Sequence, residues 1–214
     1  MRNITKGPEP PSLTAWRATN PRDYNGYQDK DAIRDSLIAE QHGICCYCQS
    51  RIRPEIGSIK IEHWASHSGH PDLRLVYSNL LGACMGGEGK SGRDQHCDTY
   101  KGEQNLCRNP AVYSHDVEVV LRYLNDGRIT SSNELFNEQL NSVLNLNHPF
   151  LMNSRKEVLD SLKTMLRIRG GTLRQSEWEQ ILEDWTGANH DGELRPYCNV
   201  IIYWVRKHLA RSSK

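Results

Sequence analysis

Hydrophobic side chains recur every three or four residues along most of the second half of the chain, which is the spacing of one buried helical face. Four such stripes predict four helices whose apolar faces form a core. The stripes are Leu135, Phe136, Leu140, Val143 and Leu144; Val158, Leu159, Leu162, Met165 and Leu166; Trp178, Ile181, Leu182 and Trp185; and Val200, Ile201, Trp204, Val205, His208 and Leu209.

The first half of the chain changes pattern over short distances. Helical spacing of apolar residues over 29–42, followed by Gly43, predicts one helix. Alternating polar and apolar residues over 58–63 predict a short strand. Asn-Asp-Gly at 125–127 predicts a turn that joins 117–124 and 128–130 in a β-hairpin. Residues 1–27 contain four prolines, so we expect an extended arm without a helix of its own.

Charge and hydropathy exclude several classes of protein. The 214 residues include 27 Lys and Arg against 26 Asp and Glu, a net charge of +1. Nucleic acid would therefore have to be bound by local basic patches and not by bulk charge. The sequence has no apolar run of the roughly 20 residues that span a membrane and no apolar secretion signal. We expect a soluble, cytoplasmic protein.

The cysteines are clustered. Five of the seven lie within 53 residues, which indicates metal binding in a reducing compartment. The two-residue spacing of Cys45 and Cys48 places two thiolates on one side of a metal, and Cys84 with Cys97 forms a wider second pair across a glycine-rich loop. We predict a structural zinc site. It stays open whether Cys46, His96 or Cys107 replaces one ligand, and thiol redox chemistry at Cys45 and Cys48 is an alternative.

Polar residues of catalytic type lie between and after these pairs. Glu62 and His63 end the predicted strand, Asn79 follows, and Asp98 comes directly after Cys97, the last cysteine of the two pairs. An isolated Glu-His pair is usually a surface pair. Two zinc-type cysteine pairs around it make the pattern specific.

This order of motifs resembles that of HNH (ββα-metal) endonucleases over residues 42–102. The segments CCYCQSRI, IEHW, NLLGAC and HCDTYKG resemble more closely the HNH subunits of Septu-type and retron-associated anti-phage defence systems. The likeness extends to the N-terminal MRNITKGPEPP.

The resemblance implies a role for each residue. His63 matches the general base that deprotonates a water for attack on a phosphodiester, which suits an imidazole. Glu62 and Asp98 match ligands of one catalytic Mg²⁺ or Mn²⁺, and Asn79 matches the residue that fixes the turn and orients the histidine. The sequence departs from the family in having Glu62 for Asp, Asp98 for Asn, and Trp-Ala-Ser at 64–66 in place of aromatic-x-Pro.

Several basic residues are candidates for contact with nucleic acid. Lys90 and Arg93 lie in the glycine-rich loop, and Lys101 follows Asp98. The Gly-Glu-Gly-Lys-Ser segment at 87–91 lacks the first glycine of a P-loop, which excludes ATP binding there. His67 and His70 are expected to be exposed loop residues, with extra metal ligation as the alternative. The basic C-terminus either complements a helix dipole or contacts phosphate or an acidic partner; it comprises Arg195, Arg206, Lys207, Arg211 and Lys214.

We therefore expect an α+β fold with an N-terminal arm (1–27), a zinc-stapled ββα-metal nuclease module (28–110), and a hairpin followed by a mainly helical region (111–214). The expected function is metal-dependent hydrolysis of phosphodiester bonds as the effector of an anti-phage complex, with DNA as the favoured substrate and tRNA or other RNA as the alternative. The resemblance implies a PtuA-type ATPase partner and, in retron-associated systems, a reverse transcriptase with its RNA–DNA hybrid. The alternative is a non-catalytic zinc module that binds nucleic acid or a protein partner.

Overall fold

A computed structural model describes residues 1–55 and 57–212 of the chain. In these ranges the protein combines helices with two small antiparallel sheets, β1–β2 and β3–β4. The helices are α1 (Pro11–Thr19), α2 (Lys30–Glu40), α3 (Cys97–Lys101), α4 (Val117–Val120), α5 (Glu134–Ser142), α6 (Pro149–Arg169), α7 (Gln175–Thr186) and α8 (Cys198–Ser212). The strands are β1 (Lys60–His63), β2 (Leu80–Ala83), β3 (Leu121–Tyr123) and β4 (Ile129–Ser131). No helix within the described ranges has the length and apolar character needed to cross a membrane.

The predicted helices are present, and their ends have clear causes. The Asp29 side chain accepts a hydrogen bond from the backbone N–H of Ala32 and caps α2. Helix α6 ends at Arg169 with Gly170 as its C-cap, as the glycine pair predicts. Two residues of the apolar stripes differ from the prediction: Leu135 is 53% exposed and Met165 is 46% exposed, so neither belongs to the core.

The N-terminal segment differs from the predicted extended arm, because residues 11–19 form helix α1. Pro11 occupies the first helical position, where its missing N–H costs nothing because that group has no helical acceptor. Leu13 of α1 is fully buried against Ile33 and Leu37 of α2. The prediction of an extended arm without a helix, which rested on the number of prolines, was therefore wrong for residues 11–19.

The hairpin at 121–131 confirms the turn prediction, but its first strand is shorter than expected. Residues 117–120 form the single helical turn α4, because the Asp116 side chain accepts a hydrogen bond from Val119 and caps it. Gly127 adopts a φ of +85°, a conformation that favours glycine in such turns.

One hydrophobic core joins the cysteine-rich half to the helical half. Hydrogen bonds also cross between them, from the Tyr197 N–H to the Gln49 carbonyl (3.1 Å) and from the Leu194 N–H to the His42 carbonyl (3.0 Å). Arg155 of α6 is 2% exposed, and it donates to the carbonyls of Gly127 and Leu146, each at 2.6 Å. The turn that carries Cys45 and Cys48 is thus packed against α8.

Candidate functional site

A two-stranded sheet and the short helix α3 carry the predicted site. Strand β1 pairs with β2 so that Glu62 lies opposite Leu81 and His63 opposite Leu80. The backbone N–H of Cys46 donates to the Gly82 carbonyl at 3.0 Å, which attaches the Cys45–Cys48 turn to β2. Because side chains alternate along a strand, Glu62 and His63 point to opposite faces of β1.

The four predicted cysteines are brought together. The sulfur atoms of Cys45, Cys48, Cys84 and Cys97 all lie within 4.8 Å of one another, and the Sγ atoms of Cys48 and Cys84 are 3.7 Å apart. Tetrahedral zinc with Zn–S bonds of about 2.3 Å needs sulfur separations of about 3.8 Å. All four side chains are buried. They form a cluster that could hold a metal ion such as zinc.

The other candidate ligands lie outside this cluster. His96 places its Nδ1 3.2 Å from the Cys97 Sγ, which is the position of a group that supports a ligand without contacting the metal. Burial acts to raise the pKa of the Cys45 thiol, but hydrogen bonds from the surrounding cysteines outweigh it and hold that pKa well below its usual value. Hydrogen bonds to Cys45 and Cys48 raise the pKa of Cys84, and burial raises that of Cys97, so the cluster favours one thiolate, at Cys45. Such a thiolate is the form in which cysteine binds metal.

The glycine-rich loop returns the chain to the cluster at close range. Gly86 adopts a φ of +56°, and a Cβ atom there would lie 2.1 Å from the His96 carbonyl oxygen. The His96 N–H in turn donates to the Gly86 carbonyl at 2.9 Å. A side chain at position 86 would separate these segments, so the glycine permits Cys84 and Cys97 to meet.

Glu62 and Asp98 form a carboxylate pair beside the cysteine cluster. Burial, followed by hydrogen bonding to Asp98, raises the pKa of Glu62 well above its usual value. Burial alone would raise the pKa of Asp98, yet hydrogen bonds from Glu62 and Lys60 lower it. Oε1 of Glu62 contacts the Tyr47 hydroxyl (2.6 Å) and the Lys101 ammonium (2.9 Å), and Oδ2 of Asp98 contacts the Lys60 ammonium (2.9 Å).

His63 lies on the other face of β1, among aromatic rings. Its Nε2 is 3.0 Å from the Arg74 carbonyl, which only accepts, so Nε2 carries the proton and Nδ1 keeps a lone pair. The His63 ring packs edge-on against Tyr24 (4.7 Å between centroids) and His67 (5.1 Å). Burial lowers the pKa of His63 to about 4, so the imidazole is neutral at physiological pH.

Asn79 holds the chain that follows His63. Its Oδ1 accepts from the Ala65 N–H at 2.8 Å, and its Nδ2 donates to the carbonyls of Ala65 (3.0 Å) and Leu73 (3.2 Å). The Asn79 carbonyl also accepts from the Trp64 N–H at 3.0 Å. These bonds fix the backbone on both sides of the loop that faces the imidazole.

Lys101 differs from its predicted position at a nucleic-acid surface. Its side chain is 0% exposed, and its ammonium contacts Glu62 and the His63 carbonyl, the latter at 3.1 Å. A buried, paired ammonium has no access to an external phosphate. Lys90 and Arg93 are exposed in the glycine-rich loop, and their contact with nucleic acid stays a prediction.

Four further residues of the site had not been predicted: Tyr24, Tyr47, Lys60 and His67. Lys60 could have been predicted from the sequence, because it lies two residues before Glu62 and therefore on the same face of the strand. Tyr47 lies within the Cys-x-x-Cys turn, where the cysteines alone suggested a role. The contacts of Tyr24 with His63 and His67 join segments far apart in sequence, which no local pattern predicts. His67 is only four residues from His63, but it had been expected to be an exposed loop residue.

Together these features define a protein of mixed helices and small sheets with a buried four-cysteine cluster suited to a metal such as zinc. No protein-family model matches the chain. A segment of 88 residues, 41% of the chain, is 27% identical to the Septu protein PtuB of Bacillus thuringiensis. The match spans 32% of that relative's length. The similarity supports a link to Septu defence proteins.

Proposed function

We propose that the chain is a metal-dependent nuclease of the HNH type that hydrolyses phosphodiester bonds in nucleic acid and acts in a Septu-related anti-phage defence. The observation that carries the proposal is the hydrogen-bonded contact between the carboxylates of Glu62 on β1 and Asp98 on α3, together with the neutral, oriented imidazole of His63 at the end of β1. Similarity to a Septu protein supports the biological setting.

The carboxylate pair fits a divalent cation. Tyr47, Lys101 and Lys60 contact one oxygen of each carboxylate, and a cation shared by Glu62 and Asp98 would take the place of the hydrogen bond between them. Two hard oxygen donors are the ligands that Mg²⁺ and Mn²⁺ prefer. Glu62 and Asp98 would hold the cation, which when bound supplies charge stabilisation at the phosphate.

His63 would act as the general base through Nδ1. The Arg74 carbonyl fixes the tautomer, and Tyr24 and His67 restrict the tilt of the ring. A neutral imidazole that is prevented from rotating can accept a proton from a water positioned for attack. Asn79 acts as a positioning residue, because it fixes the backbone next to the imidazole.

The four cysteines would hold a structural zinc that joins the two strands to α3 and takes no part in the chemistry. Residues 28–110 would then form the nuclease module, with 1–27 and 111–214 packed around it. The near-neutral net charge of +1 gives weak attraction to nucleic acid. Delivery of the substrate by a PtuA-type ATPase subunit would compensate for this.

The decisive experiment is a cleavage assay on plasmid DNA and total tRNA with Mg²⁺ or Mn²⁺, with and without the ATPase subunit. His63→Ala should abolish cleavage, whereas His70→Ala, which alters an exposed loop histidine, should not. The substrate that is cut decides between DNA and RNA. If zinc-loaded wild type and His63→Ala are equally inactive but bind nucleic acid or protein, the chain is a non-catalytic zinc module.

A further inference from the structure

A cleft of about 270 Å³ lies between the β3–β4 hairpin and the C-terminal half of α8. We call it the C-terminal cleft. It is lined by Tyr123, Leu124, Asn125, Tyr203, Trp204, Lys207, His208 and Arg211. It contains none of the residues of the candidate nuclease site.

The charge of the C-terminal cleft is positive and is not neutralised locally. Lys207 and Arg211 are exposed, and neither is paired with a carboxylate within residues 1–55 and 57–212. No acidic residue lines the cleft, and Lys163 reaches its rim by donating to the Asn125 Oδ1 at 3.3 Å. Arg206, by contrast, faces Glu118 at 3.7 Å. Lys214 lies outside the described residues.

Aromatic rings accompany these cations on the same helix face. Tyr203, Lys207 and Arg211 follow at intervals of four residues, so they form one row along α8. The Lys207 ammonium lies 5.9 Å from the centre of the Tyr203 ring, which in turn lies 6.0 Å from that of Tyr123. Complementing the helix dipole would account for the basic residues alone. It does not account for the partly exposed Tyr203 beside them.

We propose that the C-terminal cleft binds single-stranded nucleic acid, with Lys207 and Arg211 on consecutive phosphates and one base stacked on Tyr203. Cations that follow the backbone and aromatic rings that stack bases are the common means of binding single strands. The volume lies just below the roughly 300–1,000 Å³ of small-ligand sites, which suits one nucleotide unit and not a duplex. The proposal concerns binding and holds whether or not the chain cleaves.

The test is fluorescence anisotropy of labelled single-stranded dT₁₂ with the full chain, zinc-loaded and without added Mg²⁺ or Mn²⁺, over a range of salt concentrations. Lys207→Ala with Arg211→Ala should weaken binding about tenfold at low salt and reduce the salt slope by about 1.4, two phosphate contacts at roughly 0.7 each. The matched control removes two cations outside the cleft, Arg34→Ala with Arg174→Ala, and should keep the wild-type slope.

The stacking contact is tested separately. Tyr203→Leu should weaken binding about tenfold, and Tyr203→Phe should bind like the wild type, because either ring presents a face to a base. The proposal is overturned if the cleft variants bind as the control pair does, if wild type does not bind dT₁₂, or if polyglutamate competes as well as unlabelled dT₁₂. That last result would identify the cleft as a site for an acidic partner.

Discussion

The burial of Lys101 allows a quantitative test of the site. Its ammonium has no access to solvent, and it contacts Glu62 Oε1 at 2.9 Å and the His63 carbonyl at 3.1 Å. Lys101→Met keeps most of the apolar stem but removes the charge. The carboxyl pair of Glu62 and Asp98 then loses a cation, and the His63 carbonyl loses a donor.

The expected cost follows from this geometry. Removing one member of a buried ion pair costs about 3–5 kcal/mol, because the other charge is left without compensation. Glu62 already has a raised pKa and can take up a proton, so we expect the lower end, about 3 kcal/mol. For a chain of this length that corresponds to a Tm lower by about 6–12 °C.

Urea unfolding of the zinc-loaded protein, followed by circular dichroism, measures this loss. Lys90→Met makes the same substitution in an exposed loop and should change stability by less than about 0.5 kcal/mol. Adding Glu62→Gln to Lys101→Met should recover part of the loss, since the uncompensated carboxyl is removed. A Lys101→Met protein within about 1 kcal/mol of wild type would refute the buried ion pair and restore Lys101 as a surface residue.

Three other perturbations test the metal centre, the loop and the hairpin. Cys48→Ser should lose bound zinc, measured by elemental analysis of the purified protein, while Cys107→Ser, outside the cluster, should retain one ion per chain. Asn79→Ala should lower the free energy of unfolding by about 2–3 kcal/mol, because three hydrogen bonds are lost and two of them are buried. Asn105→Ala, at an exposed position, should leave it unchanged, and equal effects would contradict the positioning role. Gly127→Ala puts a Cβ 2.0 Å from the Met152 carbonyl oxygen. Gly192 has a similar φ and open space around it, so Gly192→Ala is the control. In thermal melts, Gly127→Ala should lower the free energy of unfolding by about 2 kcal/mol more than the control.

The features that the sequence predicted are those set by neighbouring residues. The Cys-x-x-Cys spacing and a glycine-rich return loop are local, and they predicted the cluster of four sulfur atoms that the structure contains. The Asn-Asp-Gly turn likewise predicted the hairpin. Helix α1 was missed because proline density was weighed above the position of Pro11, where proline favours a helix start.

Features that depend on distant segments escaped prediction. Lys101 was predicted to be an exposed basic residue, because its sequence neighbours do not indicate that it pairs with the buried carboxylate of Glu62, 39 residues earlier. The same holds for Tyr24, whose ring meets His63 only after α1 and α2 have packed. Sequence spacing therefore predicted the four cysteines, and the family resemblance supplied the candidate base and cation ligands, but neither pointed to the groups that fix their charge and orientation.

Hydrogen bonds join the cysteine turn to the residues just before α8, so the backbone could be cut before α8 without immediate loss of that helix. The loop at 188–192 is exposed, whereas the residues after it are held by His42, Gln49 and Arg51, the last donating to the Leu194 carbonyl at 2.7 Å. A chain cut in that loop should retain its last helix as a bound fragment. If the four cysteines hold a metal, its removal should loosen the fragment at this end, while the packing of α8 against α7 still retains it.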